Sequence, residues 1–412
     1  VSTADPLRSI TVVGGGLAGF TVARELRSRG FDGVLRIVDP QGLPYDRPPL
    51  SKSYLAGETG AEALRLAPPS WYPEHEVEFI EDSAVKLAAD RGSVVLAGGT
   101  ELSSDAVVLA TGGRARQLSV PGHDSPGVVA LRTLADAERL RAALRPGLRL
   151  LIVGAGLIGA ETAATAVAAG AEVTLVDPVP VPLIPAVGQE LAEVLHAMHP
   201  AHGVDVRTGV PVEIARDGQR LLVDLDQHPG LERISADLVL VAIGLEADTS
   251  VADSAGLRTC SGIEVDEAGR TSHPAIRAAG DGIRLRQPDG TPGRRAEHWE
   301  AALLSGTAVA CGLLGEELPP RPPSWFWSDR YGVHAEAVGS MSAPGRTVVR
   351  TDGAKQFAFR IDDGQVLVGC AAIDGGKTLR AAKRLIAAGA VVDPDQLADP
   401  AVDLRKLGRA IS

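Results

Sequence analysis

The stretch ITVVGGGLAG, Ile10 to Gly19, decides how the chain is read. Four apolar or β-branched residues run into a glycine cluster. FTVARELRSRG follows with helical character, and a second apolar run, VLRIVD, ends on Asp39. The order is strand, tight turn, helix, strand, acid. Within it Gly14, Gly16 and Gly19 form G-x-G-x-x-G. In that motif the first glycine permits the turn, the second lets a pyrophosphate approach the backbone, and the third lets helix and strand pack closely. The helix N-terminus then faces phosphate. Asp39 stands where an acid accepts hydrogen bonds from a ribose. The motif with both flanking strands and the distal acid predicts a dinucleotide site.

Working outward, the pattern recurs. Leu148 to Val153 reads as a strand, Gly154, Gly156 and Gly159 form a second G-x-G-x-x-G, and Thr162 to Gly170 continues as a small-residue helix. The next strand, from Glu172 to Val176, ends on Asp177, so each unit keeps its own acid and the chain is expected to bind two dinucleotides. A carboxylate at Asp177 favours a free 2′-hydroxyl and repels a 2′-phosphate. No Arg or Lys follows it in PVPVPLIP, which predicts NADH over NADPH. Glu161 has two readings: a group at a nicotinamide–flavin contact, or an acid near a helix N-terminus favoured by the dipole.

Between the two units, GLPYDRPPLSKSYLAG is a rigid, non-periodic segment carrying Asp46, Arg47, Ser51 and Lys52. Arg47 and Lys52 have two readings: cations that face phosphate or a reduced flavin ring, or solvated charges of an ordinary surface loop. SDAVVLATGG ends a buried strand in a tight exit, Ala110 to Gly112, where backbone at Thr111 and Gly112 passes close to a ligand. ADLVLVAIG, Ala236 to Gly244, is its counterpart in the second unit. TSHPAIRAAGD brings Asp281 after a short strand, positioned for a ribityl hydroxyl. Arg294 to Gly315 reads as one long helix with Glu297, His298 and Trp299 at its start. Pro319 to Pro323 marks a linker. SWFWSDRYG, with Trp325 and Trp327, then opens a module of short strands closed by a basic helix carrying Lys377, Arg380, Lys383 and Arg384.

The chain has 412 residues, 45% of them hydrophobic, enough for two or three domains with real cores. The fold class expected is α/β: two Rossmann-like nucleotide-binding domains of glutathione-reductase type plus a small α+β C-terminal domain. The boundaries expected are 1–115 with 246–320 for the first nucleotide-binding domain, 116–245 for the NADH-binding domain, and 321–412 for the last domain. A net charge of −11 argues against broad nucleic-acid binding. Cys260, Cys311 and Cys370 are far apart without a CxxC, so neither a disulfide scaffold nor a redox dithiol is expected. No HExxH or Cys/His cluster occurs, so no protein-bound metal is predicted. Neither a secretory signal nor a membrane span is read, and the expectation is a soluble, cytoplasmic monomer.

VVGGGLAG, PYDRPPLSK, LATG, VGAGLIGAE, AAGD, AEHWEAA and WFWSD occur in the order seen in the NADH-dependent ferredoxin reductases of cytochrome P450 and ring-hydroxylating dioxygenase systems, the putidaredoxin reductase type. The resemblance covers nearly the whole chain. It implies FAD in the first domain, NADH as substrate in the second, and a C-terminal interface domain. It implies that Gly14, Gly16, Gly19 and Asp39 hold the adenosine half of FAD, with Arg47 nearer the reactive end and Lys52 close to the flavin ring. Asp281 is implied at the ribityl-phosphate region, with Thr111, Gly112 and Trp299 also among the cofactor contacts. Gly154, Gly156, Gly159 and Asp177 are implied for NADH, Glu161 near the stacked rings, and Trp327 by the flavin at an electron exit. The chain departs from the family pattern at Ala301, where asparagine is usual, at Arg330, where WSDQ becomes WSDR, and in PLIPAVG, which lacks a usual arginine.

The partner implied is a 2Fe–2S ferredoxin that feeds a P450 or other oxygenase. Because such ferredoxins and this chain are both acidic, docking needs a local basic patch. Arg284, Arg286, Arg294, Arg295, Arg330, Arg380, Lys383 and Arg384 are its candidates. Rival readings are an NADH oxidase or disulfide reductase, an apoptosis-inducing-factor-like flavoprotein, and a flavoprotein used as a binding module. The first needs a redox cysteine, and Asp39 to Ala56 contains none.

Overall fold

The computed structural model describes residues 7–88, 92–227 and 230–407, which divide into two compact units. The first unit comprises 1–48, 60–114 and 245–321; the second comprises 49–59, 115–244 and 322–412.

The first unit is built on a five-stranded parallel sheet. Its order is Ile276–Ala278, Ala106–Leu109, Ser9–Val13, Val34–Val38, Val77–Ile80. Parallel strands are covered on both faces and therefore read as continuous apolar runs. Ile10, Val12, Val107, Val108 and Ile37 accordingly have no exposed surface. On one face Ile10, Val12, Leu35 and Ile37 pack with Phe20, Val22 and Leu26 of the helix Leu17–Ser28 and with Val309 and Ala310 of the helix Trp299–Leu314. The two helices approach closely because Gly306 has no side chain: a Cβ there would lie 2.7 Å from the Ala18 carbonyl oxygen. On the other face Val13, Val38 and Leu109 meet Leu87, Val94 and Leu96 of a three-stranded antiparallel sheet, Ala84–Ala88, Ser93–Leu96 and Glu101–Ser103.

The second unit repeats the scheme. Its parallel sheet runs Asp205–Thr208, Glu172–Asp177, Arg149–Val153, Leu238–Val241, Val128–Ala130, with the helix Leu157–Ala168 following the glycine turn. A three-stranded antiparallel sheet, Val210–Asp217, Arg220–Asp226 and Leu231–Ala236, covers one face through Leu221, Val223 and Leu225. The same unit contains a five-stranded antiparallel sheet in the order Trp325–Arg330, Val333–Gly339, Leu367–Ile373, Lys355–Ile361, Arg346–Asp352. Phe357, Phe359 and Leu367 on one face of it pack with Leu379, Ala382 and Leu385 of the helix Gly376–Ala387. On its other face Ala335, Ala337, Ala358 and Ala371 receive Leu191, Ala192 and Leu195 of the helix Gln189–Ala201. That second helix belongs to the nucleotide repeat, so the antiparallel sheet is clamped between its own helix and a neighbour's.

Two element boundaries differ from the sequence reading. The helix expected from Arg294 begins at Trp299, because the His298 side chain accepts from the Ala301 N–H and caps it. The basic helix is followed by two short helices, Pro394–Ala398 and Leu404–Leu407, rather than ending the module. Among the described residues no helix is long and apolar enough to cross a membrane, and no cluster of side chains suited to a metal occurs.

Candidate functional sites

In the first unit the glycines do what the spacing predicts. Gly14 sits at φ +104°, and a Cβ there would come within 2.2 Å of the Ala110 carbonyl oxygen. At Gly19 a Cβ would lie 1.9 Å from the Gly14 carbonyl oxygen. At Gly16, by contrast, a Cβ would meet nothing within 4 Å. The turn is packed tightly behind and open in front. Gly16 is the N-cap of the helix Leu17–Ser28 and supplies no side-chain cap, and no acidic residue stands in the first turn. The N–H groups at that terminus are thus left for an anion. The chain does cap elsewhere: Thr133 and Asp136 form a reciprocal capping box at the helix Leu134–Ala143.

In front of the turn lies an open hollow of about 190 Å³, lined by Gly15, Gly16, Asp39, Gln41, Gly42, Pro44, Tyr45 and Arg47. Asp39 Oδ2 accepts from Gly15 N at 2.6 Å and Oδ1 from Gln41 N at 2.7 Å, fixing the carboxylate while each oxygen keeps a lone pair. The Arg47 guanidinium lies over the Tyr45 ring, 5.8 Å from its centre. Thr111 and Gly112 adjoin the turn: a Cβ on Gly14 would lie 3.1 Å from Thr111 N, and one on Gly282 would lie 2.8 Å from Gly112 O. A Cβ on Gly280 would lie 2.9 Å from the Ala18 side chain, so Asp281, between those two glycines, sits beside the helix start. Ser305 Oγ accepts from Gly280 N at 2.9 Å and holds that loop, a role the sequence reading missed. Trp299 Nε1 donates to Asp46 Oδ1 at 2.8 Å, and Thr111 Oγ1 donates to the Asp248 carbonyl at 2.6 Å. An uncapped helix start, a side-chain-free turn and a fixed carboxylate at the edge of a hollow fit the phosphates and ribose of a dinucleotide such as FAD.

In the second unit the same geometry recurs at Gly154, Gly156, Gly159 and Asp177. Gly154 has φ +102°, Gly156 faces open space, and Asp177 Oδ2 accepts from Ala155 N at 2.8 Å.

The same unit gathers Lys52, Glu161 and Trp327, three residues far apart in sequence. Glu161 is the fifth residue of its helix, beyond the first turn, and only 5% exposed. This removes the reading of a surface acid stabilised by the helix dipole. Its carboxylate is instead fully engaged. Oε2 accepts from Ser51 Oγ at 2.6 Å, and Oε1 accepts from Ser328 Oγ at 2.7 Å and from Lys52 Nζ at 3.3 Å. A buried carboxylate needs such partners to remain charged. Lys52 Nζ also donates to Asp329 Oδ2 at 2.9 Å and lies 5.3 Å from the centre of the Trp327 ring. Trp327 stacks on Trp325 at 5.0 Å. Burial raises the Asp329 carboxyl, but hydrogen bonds from His334 and Lys52 outweigh it and hold the group below the usual carboxylate range. Ser51, Ser328 and Asp329 stand next to the singled-out residues in sequence, yet only the fold brings them to Glu161 and Lys52.

Arg330 corrects an expectation. Proposed from sequence as a docking cation, it is 4% exposed and donates to Ser328 Oγ at 3.0 Å, behind the carboxylate cluster. Desolvation lowers its pKa, with Glu161 opposing. Arg284 and Arg295 are likewise committed: the first to the Gly293 and Cys260 carbonyls, the second to Glu297 at 2.6 Å and the Leu245 carbonyl. Arg380 and Arg384 remain exposed.

Two phosphate-ready turns with their carboxylates, and a part-buried lysine–carboxylate cluster, fit a protein that handles two nucleotides. Residues 8–306 match the pyridine nucleotide-disulphide oxidoreductase family, and residues 325–408 match the reductase C-terminal family. The chain is 36% identical over 410 residues to the benzene 1,2-dioxygenase system ferredoxin–NAD(+) reductase subunit of Pseudomonas putida, covering 97% of this chain and 98% of that one. It is similar in structure to the ferredoxin reductase for the CYP199A2 system from Rhodopseudomonas palustris, with a TM-score of 0.92, 32% identity, and 97% and 100% of the two chains covered. It is also similar to the reductase in the covalent putidaredoxin reductase–putidaredoxin complex, with a TM-score of 0.89, 32% identity and 98% of each chain. The chain belongs to the pyridine nucleotide-disulphide oxidoreductase family, among its ferredoxin–NAD(+) reductases.

Proposed function

We propose that this protein is an FAD-dependent ferredoxin reductase that takes a hydride from NADH and passes single electrons to a 2Fe–2S ferredoxin serving an oxygenase or cytochrome P450, in the cytoplasm. The observation that carries the reading is the paired set of uncapped, carboxylate-flanked glycine turns in one chain. FAD, when bound, supplies the conversion of a two-electron donor into one-electron steps. Gly14, Gly16, Gly19, Asp39 and Arg47 hold the nucleotide half of that cofactor, with Thr111, Gly112, Asp281 and Trp299 at its periphery. Gly154, Gly156, Gly159 and Asp177 hold NADH. The absence of Arg or Lys among residues 178–187 leaves nothing there to pair a 2′-phosphate.

Lys52, Glu161 and Trp327 serve the reacting end. Glu161, clamped by Ser51 and Ser328, fixes the Lys52 ammonium, and Asp329 holds it from the other side. The ammonium offers a positive charge where negative charge develops. The functional division follows as 1–115 with 246–320, 116–245 and 321–412, the last part meeting the ferredoxin through the exposed cations of the helix Gly376–Ala387.

The test is anaerobic stopped-flow mixing of the flavin-loaded protein with NADH or NADPH, then with an oxidised 2Fe–2S ferredoxin. Fast bleaching by NADH, slow bleaching by NADPH and prompt ferredoxin reduction are expected. Bleaching without transfer to any of several ferredoxins overturns the partner; no bleaching with either nucleotide overturns the second turn's assignment.

A further inference from the structure

The part-buried Lys52–Glu161 pair does not end at Asp329. The strands Trp325–Arg330 and Val333–Gly339 pair in a register that sets Asp329 directly opposite His334 and Trp327 opposite Glu336. Asp329 Oδ1 lies 2.5 Å from His334 Nδ1, and His334 Nε2 lies 3.6 Å from Glu336 Oε2. A continuous row of exchangeable groups results: Glu161, Lys52, Asp329, His334, Glu336. It begins at a side chain 6% exposed and reaches the surface at Asp329 and His334, whose side chains are each 42% exposed. The register explains why this needs no dedicated loop, since directly opposed cross-strand residues meet side by side. The charged groups around His334 are Asp329 from the opposing strand, Glu336 from its own strand, and Asp374, whose Oδ1 accepts from His334 N at 3.2 Å. Lys383 stands over Trp325, whose indole N–H donates to Glu336 Oε1 at 3.0 Å.

The proposed reaction leaves a proton to dispose of. NADH and two oxidised ferredoxins yield NAD⁺, two reduced ferredoxins and one H⁺. The electrons go to the partner, and the proton must reach water by another route. We infer that the Glu161–Lys52–Asp329–His334 row is the proton exit of this enzyme, with His334 as its terminal carrier. This inference rests on the assignment of Lys52 and Glu161 to the reacting end. A proton released there passes from Lys52 Nζ to Asp329 Oδ2 as the amine takes up the next one. With the ring in its Nε2–H form after exchange with solvent, the Asp329 carboxyl turns about its Cβ–Cγ bond, brings the protonated Oδ2 to His334 Nδ1 and delivers the proton there. The ring releases one from Nε2 to Glu336 or directly to bulk water, and resets by exchange with solvent. Histidine suits the last place because its two nitrogens accept and donate on opposite sides of one ring.

The test compares wild type and His334→Gln, both flavin-loaded, in a weakly buffered anaerobic stopped-flow mixture containing NADH, oxidised 2Fe–2S ferredoxin and a pH indicator. Ferredoxin reduction and proton appearance are followed separately in water and in deuterium oxide. Removing the carrier is expected to slow proton appearance and ferredoxin reduction together by about tenfold, less than the roughly hundredfold of a direct acid–base group because the exposed Asp329 also exchanges with water. The same variant is expected to show a larger solvent isotope effect and partial recovery with added imidazole, since the position opens to solvent. Unchanged proton appearance, or a slowing that imidazole does not relieve, overturns the inference. So does a variant that also loses NADH-driven bleaching, which would make His334 a structural residue. Failure of the underlying functional reading is distinguishable, because wild type itself would then fail to bleach with NADH.

Discussion

The two glycine turns of this chain share their backbone geometry, and among the buried side chains that differ behind them one carries a charge. Gly14 and Gly154 sit at φ +104° and +102°, and a Cβ on Gly19 or Gly159 would collide at the same 1.9 Å with the preceding carbonyl. Asp39 and Asp177 accept from the corresponding backbone N–H at 2.6 and 2.8 Å. Two positions beyond the third glycine, however, the first repeat has Thr21 and the second has Glu161. Both are buried. Thr21 Oγ1 has no hydrogen-bond partner, while the Glu161 carboxylate has three. A scaffold that needs only to bind a nucleotide is content with a small side chain there. One that carries a fully satisfied carboxylate at the same place has been given an additional task.

The largest test of this likeness is to damage each turn in the same way. Gly19→Val and Gly159→Val both force a side chain against a carbonyl, an overpacking that costs the turn about 1–3 kcal/mol, roughly 5–150-fold in an equilibrium constant. Gly19→Val is expected to purify without flavin, by its visible spectrum. Gly159→Val is expected to remain yellow but to need far more NADH for bleaching. Loss of flavin in both would break the division of labour between the turns.

Acid should separate the units next. His199 alone among the described histidines is fully buried; desolvation, with Arg330 and two neighbouring histidines, pushes it down to about 3. Its Nδ1 is 2.8 Å from the Tyr331 hydroxyl. The folded state keeps it neutral while the unfolded chain takes up a proton below its ordinary value near 6.5. Stability is therefore complete above that value and falls as pH drops toward 3. By linkage this amounts to about 2 kcal/mol at pH 5. Melting curves between pH 7 and 5 should show the decline, and His199→Gln should flatten it.

Smaller effects follow at the acids and at the differing position. Asp177→Ala is expected to narrow the preference for NADH over NADPH by about tenfold, while Asp39→Ala leaves that ratio unchanged and weakens flavin retention. Steady-state rates with both nucleotides measure the first, and flavin release in mild denaturant the second. Thr21→Val removes an unpartnered buried hydroxyl and should stabilise the first unit by about 1 kcal/mol in thermal melts. Glu161→Gln keeps the shape and removes the charge, and should slow NADH bleaching with no gain in stability.

The turns were legible because every part of them is local. Strand, glycines, helix and acid lie within one short stretch, so Gly14 to Asp39 and Gly154 to Asp177 could be read directly. The surroundings of Glu161 could not. Ser51, Ser328 and Asp329 reach it or Lys52 across more than a hundred residues, and no periodicity encodes which serine finds which carboxylate. Arg330 was misjudged for the same reason. In sequence it is a cation beside an aromatic cluster, and only the packing around Ser328 shows that it is inside. His334 lay in a run read simply as a strand; its place opposite Asp329 is a matter of register, which depends on the turn between the two strands.

The helix Gln189–Ala201 bears on how such proteins can be re-engineered. Its Leu191, Ala192 and Leu195 form one core with Ala335, Ala337, Ala358 and Ala371 of the antiparallel sheet. Anyone hoping to redirect this enzyme to a foreign electron acceptor by grafting another protein's last hundred residues would cut through that core. The transplantable cassette is the nucleotide repeat and the terminal sheet together, and a chimera joined between them should precipitate rather than change partners.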